Sequence, residues 1–250
     1  MKPLLAITMG DPAGIGPEVL VKALSSGAVQ DRARVFVIGS EAALQVAMAE
    51  AGCDFDVHVV AEVESVTDQP GVHLLDPFGS IEGLVRGEPS ALGGAASVSY
   101  FERGVAEAMA GKIDGIVTCP INKVAVQMAG FHNDIGHQEI LARLTNAPLT
   151  ATLLMTPGLK VAHLSTHLSL FDAVTYVRKP ILIDKLTLTH EHLQSWGCVN
   201  PVIAVAALNP HGGEAGMLGR EEIEEIGPAI ETLQARGLDI RGPFPADSVF

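Results

Sequence analysis

A mostly parallel α/β fold, as two lobes or one large domain, is what this sequence predicts, and three observations predict it. Apolar runs of strand length alternate with helix-periodic stretches along the chain. Several runs are rich in small and β-branched residues, as in strands buried on both faces. The 250 residues, 48% of them hydrophobic, suffice for an ample core.

The first unit reads as strand LLAIT (4–8), turn MGDPAGIGPE (9–18) and a helix whose Val19, Leu20, Ala23 and Leu24 form one apolar face. Gly16 and Pro17 suit its entry, and Glu18 complements the dipole of the first turn. A strand at RVFVIGS (34–40) leads to an alanine-rich helix ending near Gly52. Short strands are expected over 54–76, an irregular connection over 77–94, and then a long helix burying Val98, Phe101, Val105 and Ala108. IDGIVTCP (113–120) reads as a buried strand, NKVAVQMAG as a short helix, and 130–146 as a polar loop entering a helix near Gly136.

In the second half, TATLLM (150–155) and KVAHLS (160–165) read as a hairpin or neighbouring strands, and THLSLFDAV as a loop and short helix. Pro180 opens a helix with Leu182, Leu186, Thr189, Leu193 and Trp196 on one face, closed by Gly197. His190 and His192 fall on its polar side. PVIAVAA (201–207) is expected to be a buried parallel strand, followed by a helix through Ile223, Ile226, Ile230 and Leu233 that starts or breaks at Pro228. The chain finishes strand-like at RGPFPADSVF (241–250), an apolar ending that reads as a truncation.

Composition removes several function classes. A net charge of −13 disfavours nucleic-acid and anionic-membrane partners, which require basic patches. The apolar runs are too short for a membrane span or a signal peptide. Three widely spaced cysteines without metal spacing fit reduced thiols in the cytoplasm. No G-x-G-x-x-G follows an expected strand, and no phosphate loop, nucleophile elbow or paired C-x-x-C occurs.

Polar residues gather instead at element ends. LNPHGGE (208–214) follows the strand at 201–207, and its Pro210, Gly212 and Gly213 set a tight turn around His211 and Glu214. Open α/β sheets bind ligands at the carboxyl ends of strands. His167 follows the strand-like KVAHLS at a comparable end, and two imidazoles meeting in one crevice would hold zinc or another divalent ion. His163 is expected to be core. His137 opens a helix, where free N–H groups favour a phosphate or carboxylate, or where it merely caps. The residues alone therefore indicate a cytoplasmic α/β enzyme for an anionic substrate, with a metal site as one reading.

MGDPAGIGPE (9–18), TCPINK (118–123), G-H-x-E (136–139), S-T-H (165–167) and LNPHGGE (208–214), in this order, resemble the 4-hydroxythreonine-4-phosphate dehydrogenase family. That family has the isocitrate/isopropylmalate dehydrogenase-like fold, so the resemblance implies two α/β lobes, expected at 1–128 and 129–250. It implies NAD(P)-dependent oxidation of 4-phosphohydroxy-L-threonine, then decarboxylation to 3-amino-2-oxopropyl phosphate in pyridoxal phosphate biosynthesis. It also implies a homodimer with the active site at the subunit interface, and a divalent metal, zinc first and magnesium, manganese or cobalt after it. Carried over by motif, His167 and His211 are metal ligands, His137 and Gln138 contact substrate, and Asp247 is an acidic residue of the catalytic site.

Two departures qualify the resemblance. Gln138 stands where the family usually has Thr, which keeps open a relative acting on a phosphorylated four-carbon sugar acid or a dihydrodiol acid. The family also continues beyond residue 250, into a segment that supplies a third histidine ligand, much of the phosphate grip and part of the cofactor site, and completes the first lobe. A non-catalytic truncated homologue is the corresponding expectation for these 250 residues alone.

Overall fold

The computed structural model describes residues 2–134 and 136–250; Met1, at the expected start, and Ile135, in the expected loop before the helix at 136, lie outside them. The chain is α/β, with parallel sheets flanked by helices, and divides into two compact units, Met1–Pro148 and Leu149–Phe250. The division falls later than the expected 128/129 boundary because the helix at His137–Thr145 packs with the first unit: its Ile140 is buried with Val98, Phe101 and Val126.

The first unit holds five strands, β1 (Leu4–Thr8), β2 (Arg34–Ile38), β3 (Val57–Val59), β4 (Val72–Leu75) and β5 (Gly115–Thr118), all parallel in the order β3-β4-β2-β1-β5. Helices α1 (Gly16–Ser25), α2 (Glu41–Ala51), α3 (Ala91–Met109), α4 (Lys123–Met128) and α5 (His137–Thr145) complete it. Local chemistry fixes their starts. Ser40, Ser90 and Asn122 each accept backbone N–H bonds at the entry of α2, α3 and α4, relieving donors that have no helical partner. The core gathers Ala6, Phe36, Ile38, Leu44, Leu74 and Tyr100. A Cβ on Gly94 would lie 2.0 Å from the Ala125 carbonyl oxygen, so α3 and α4 meet backbone to backbone only because that position has no side chain.

Three expectations change here. On α1, Leu20, Val21 and Leu24 are buried, while Val19 and Ala23 face outward; the buried stripe turns by part of a residue toward Gly16 and Pro17. Among the described residues the 113–120 strand pairs with β1 alone, and Val117 is exposed rather than buried. Ala108 is only partly buried.

The second unit contains a hairpin, β6 (Leu153–Thr156) against β7 (Leu159–Ala162), then α6 (Leu170–Tyr176) and α7 (Lys179–Ser195). Strand β8 (Ile203–Ala206) and strand β9 (Ile240–Phe244) pair in parallel, joined through a π-helical turn (Glu222–Ile226) and α8 (Gly227–Gln234). Pro228 has no N–H to donate to an i−4 carbonyl, and Gly227 N–H reaches back to the Glu222 carbonyl instead, which widens that turn. Val177, Leu182, Val205, Ile226, Ile230 and Leu233 form the core of this unit. β8 is parallel as expected but only alternately buried, with Ala204 and Ala206 exposed. Trp196 and Ile223 are exposed rather than on buried faces. No helix among the described residues is long and apolar enough to cross a membrane.

Candidate active site

β8 delivers the chain to Asn209, and backbone pairing then gives way to side-chain bonds. Asn209 N–H donates to the Glu222 carboxylate at 2.9 Å, and its amide donates to the Leu218 carbonyl at 3.3 Å. The Asn209 Oδ1 accepts from His211 N–H at 3.2 Å, an Asx turn that fixes the histidine backbone. Asp247 N–H donates to the Pro210 carbonyl at 3.3 Å, and the Asp247 Oδ2 lies 3.2 Å from His211 Nδ1. The His211 side chain stays 66% exposed, so the ring is held on one nitrogen while its other edge faces outward. Beyond it Gly212, Gly213, Glu214 and Ala215 all have left-handed φ of 70°, 73°, 49° and 55°. Glycine takes such values freely, whereas Glu214 and Ala215 each give up about 1–2 kcal/mol.

His167 sits in the loop between β7 and α6, exposed, with φ of 57°, a value that few non-glycine residues adopt. Ser169 just after it caps α6 by accepting Asp172 N–H at 3.1 Å. His163 donates its backbone N–H to the Thr152 carbonyl at 2.9 Å and is partly exposed, not core, because β7 ends one residue earlier. Among the described residues no three or more His, Cys, Asp and Glu side chains cluster as a metal site. Both candidate ligands of the second unit, His167 and His211, are thus exposed, and His211 has a carboxylate beside its ring.

His137 and Gln138 fall in the first unit, in the opening turn of α5 behind Gly136. The His137 ring meets Phe101 edge-on, centroids 4.8 Å apart at 76°. Its Nε2 is buried with no hydrogen-bond partner among the described residues, and neither has the Glu139 Oε2. Burial holds the His137 pKa below its ordinary value, so the ring is neutral at pH 7. Arg143, six residues on, is bound to Asp134 at 2.7 Å and Glu102 at 3.0 Å.

A further crevice of about 410 Å³ lies at the carboxyl ends of β1 and β5, lined among others by Asp11, Ile15, Ile121, Asn122 and Lys123. It sits where the strand order turns back on itself, β1 going to β2 on one side and β5 on the other, the place where open α/β sheets bind ligands. Gly10 builds it: φ is 73°, and a Cβ there would lie 2.2 Å from the Pro120 carbonyl oxygen, so the two loops touch only through a glycine. Asp11 N–H then donates to that oxygen at 3.0 Å. The Asp11 pKa is raised by burial and eased by the Ala13 N–H, and burial pushes the Cys119 thiol to about 11, so that thiol is no nucleophile at neutral pH. Asp11 and Lys123 lie in motifs legible in the sequence, yet no pattern there pairs them. Glu222 was not legible either, since the helix expected through Ile223 and Ile226 gives its glutamates no distinct place.

Residues 31–250 match the family described as "Pyridoxal phosphate biosynthetic protein PdxA". The chain is 42% identical over 250 residues to a D-threonate 4-phosphate dehydrogenase of Cupriavidus necator, covering 99% of this chain and 75% of the relative. It is 37% identical over 254 residues to a 4-hydroxythreonine-4-phosphate dehydrogenase of Desulforapulum autotrophicum, covering 100% and 74%. Among solved structures, a 4-hydroxythreonine-4-phosphate dehydrogenase from Klebsiella pneumoniae superposes with a TM-score of 0.92 at 36% identity, covering 100% of this chain and 76% of that one.

Proposed function

We infer the reaction from one premise: this chain belongs to the PdxA family and is a dehydrogenase of that family. Family members use NAD(P), and the proposal concerns what is oxidised and by which residues. The substrate is a four-carbon acid phosphorylated at C4 with a hydroxyl at C3, D-threonate 4-phosphate first. A hydride leaves C3 for NAD(P)⁺ and the hydroxyl proton is released, giving a ketone β to the carboxylate. The C1–C2 bond then breaks, CO₂ departs, and C2 takes up a proton to give dihydroxyacetone phosphate. The 42% identity to the Cupriavidus necator enzyme favours this substrate.

The observation that carries the chemistry is the 3.2 Å contact from Asp247 to His211 Nδ1. A carboxylate on one imidazole nitrogen fixes the tautomer and leaves Nε2 as a lone-pair donor, the usual support of a metal-bound histidine. His211 and His167 would thus hold a divalent ion, zinc fitting a histidine pair best, with other ligands completing its shell. When bound, such an ion supplies charge stabilisation where oxygen becomes anionic. Asp247 orients His211. Neutral His137, with its unpaired Nε2, and Gln138 beside it bind the anionic substrate. The crevice at β1 and β5 would hold the cofactor, with Lys123 for its phosphates and apolar Ile15 and Ile121 against its rings. Exposed Leu170 (89%) and Phe171 (78%) on α6, which buries no side chain, support association with a second copy.

A second reading, 4-phosphohydroxy-L-threonine, has its own support in the 37% relative and the Klebsiella structure. The deciding experiment is NAD(P)H formation from both compounds with Zn²⁺, Mg²⁺, Mn²⁺ and Co²⁺ in turn. We expect the larger kcat/KM with D-threonate 4-phosphate and none in His211→Ala. Turnover of the amino compound alone would reverse the assignment, and turnover of neither would remove both.

A further inference from the structure

Glu222 is 6% exposed, and no Lys, Arg or His side chain among the described residues makes an ion pair with it. Its neighbours behave differently: Glu224 pairs with Arg220 at the surface, and half-buried Glu225 pairs with Arg178. A buried carboxylate without a cation is costly to keep, and an apolar side chain would pack there more cheaply. What the carboxylate meets is the histidine loop. Oε1 accepts Asn209 N–H at 2.9 Å, and Asn209 Oδ1 accepts His211 N–H at 3.2 Å. On the other side a Cβ at Gly213 would lie 2.8 Å from Oε2, so the loop backbone rests against both carboxylate oxygens, before and after His211. The π-helical turn that begins at Glu222 sets it one residue out of α-helical phase at this spot.

We propose that Glu222 is a positioning residue, whose carboxylate fixes the Asn209–Gly213 backbone and through it the His211 imidazole. Its acceptor atom performs this task, taking the Asn209 N–H at 2.9 Å. The consequence for metal binding rests on the reading of His211 as a ligand, while the effect on the ring itself does not.

The test compares Glu222→Ala, Glu222→Gln and Glu222→Asp with the unmodified chain. Three quantities are read: amide hydrogen exchange at Asn209 and His211, the ¹⁵N shifts of the His211 ring, and the Kd for Co²⁺ by chelator competition. In Glu222→Ala exchange accelerates, the ring signals move toward a mixture of tautomers, and the Kd rises by about 10-fold or more, the range typical of an outer-shell partner. Glu222→Gln keeps an oxygen acceptor and restores all three to within about 3-fold. Glu222→Asp keeps the charge but is one methylene shorter, and behaves like Glu222→Ala; it serves as the disrupted variant if the alanine chain does not fold. Ring signals unchanged in both Glu222→Ala and Glu222→Asp would overturn the proposal, as would Glu222→Gln failing as badly as they do. If the unmodified chain and His211→Ala take up Co²⁺ alike, the metal reading fails and the ring signals alone decide the role of Glu222.

Discussion

The loop that carries His211 and the helix entry that carries His137 both present an imidazole, and they hold it in opposite ways. His211 is exposed: its backbone N–H donates to Asn209 Oδ1, Asp247 Oδ2 lies 3.2 Å from its Nδ1, and Asn209 N–H in turn donates to Glu222. His137 is packed edge-on against Phe101, with a buried nitrogen left unpaired. Polar contacts leave the His211 ring exposed, whereas burial against Phe101 holds the His137 pKa below its ordinary value.

Breaking the first restraint outright should have the largest effect. His211→Ala is expected to weaken Co²⁺ or Zn²⁺ binding more than about 100-fold, beyond what outer-shell changes do; calorimetric titration measures it, and unaltered affinity would end the comparison. Asp247→Asn leaves the ring but reverses the character of one of its partners, and should cost about 30-fold in the same titration. At the other imidazole, His137→Gln should lower kcat/KM about 10-fold, as for a lost hydrogen bond to a charged group, while metal Kd stays put. A matching loss of metal affinity would show that the two rings share one task.

The smallest effect is on stability against pH. Above the ordinary value of 6.5 the His137 ring is neutral whether folded or unfolded, and nothing is lost. Below it the unfolded ring takes up a proton that the buried ring refuses, so stability falls with pH until the folded ring titrates as well. His73, lowered mainly by burial and then by His58 and Arg34, works in the same direction. Urea midpoints between pH 7 and pH 5, both about the His range, should therefore decline, and His137→Gln should make the decline shallower without abolishing it. An unchanged slope would mean that the ring is solvated.

Much of the fold was legible because its signals are local. Strand LLAIT, the helix end near Gly52 and the two neighbouring strands within 150–165 follow from backbone preferences over a few residues. Burial was less so. Val117, Trp196 and Ile223 have the right periodicity for a core but are exposed among the described residues. At the site, LNPHGGE announced a turn around a histidine, but neither the carboxylate on the His211 ring nor the one beneath its loop is announced by spacing.

The sequence by itself determined the alternation of strand and helix, the turns that end the strands, and the histidines those turns carry, since each depends on residues close along the chain. Only the tertiary structure decided that β5 lies beside β1, that Asp247 reaches His211 across 36 residues, and that Glu222 is buried against the loop rather than facing solvent. Those pairings depend on which segments the packing of a whole unit brings together, and no local preference encodes that distance.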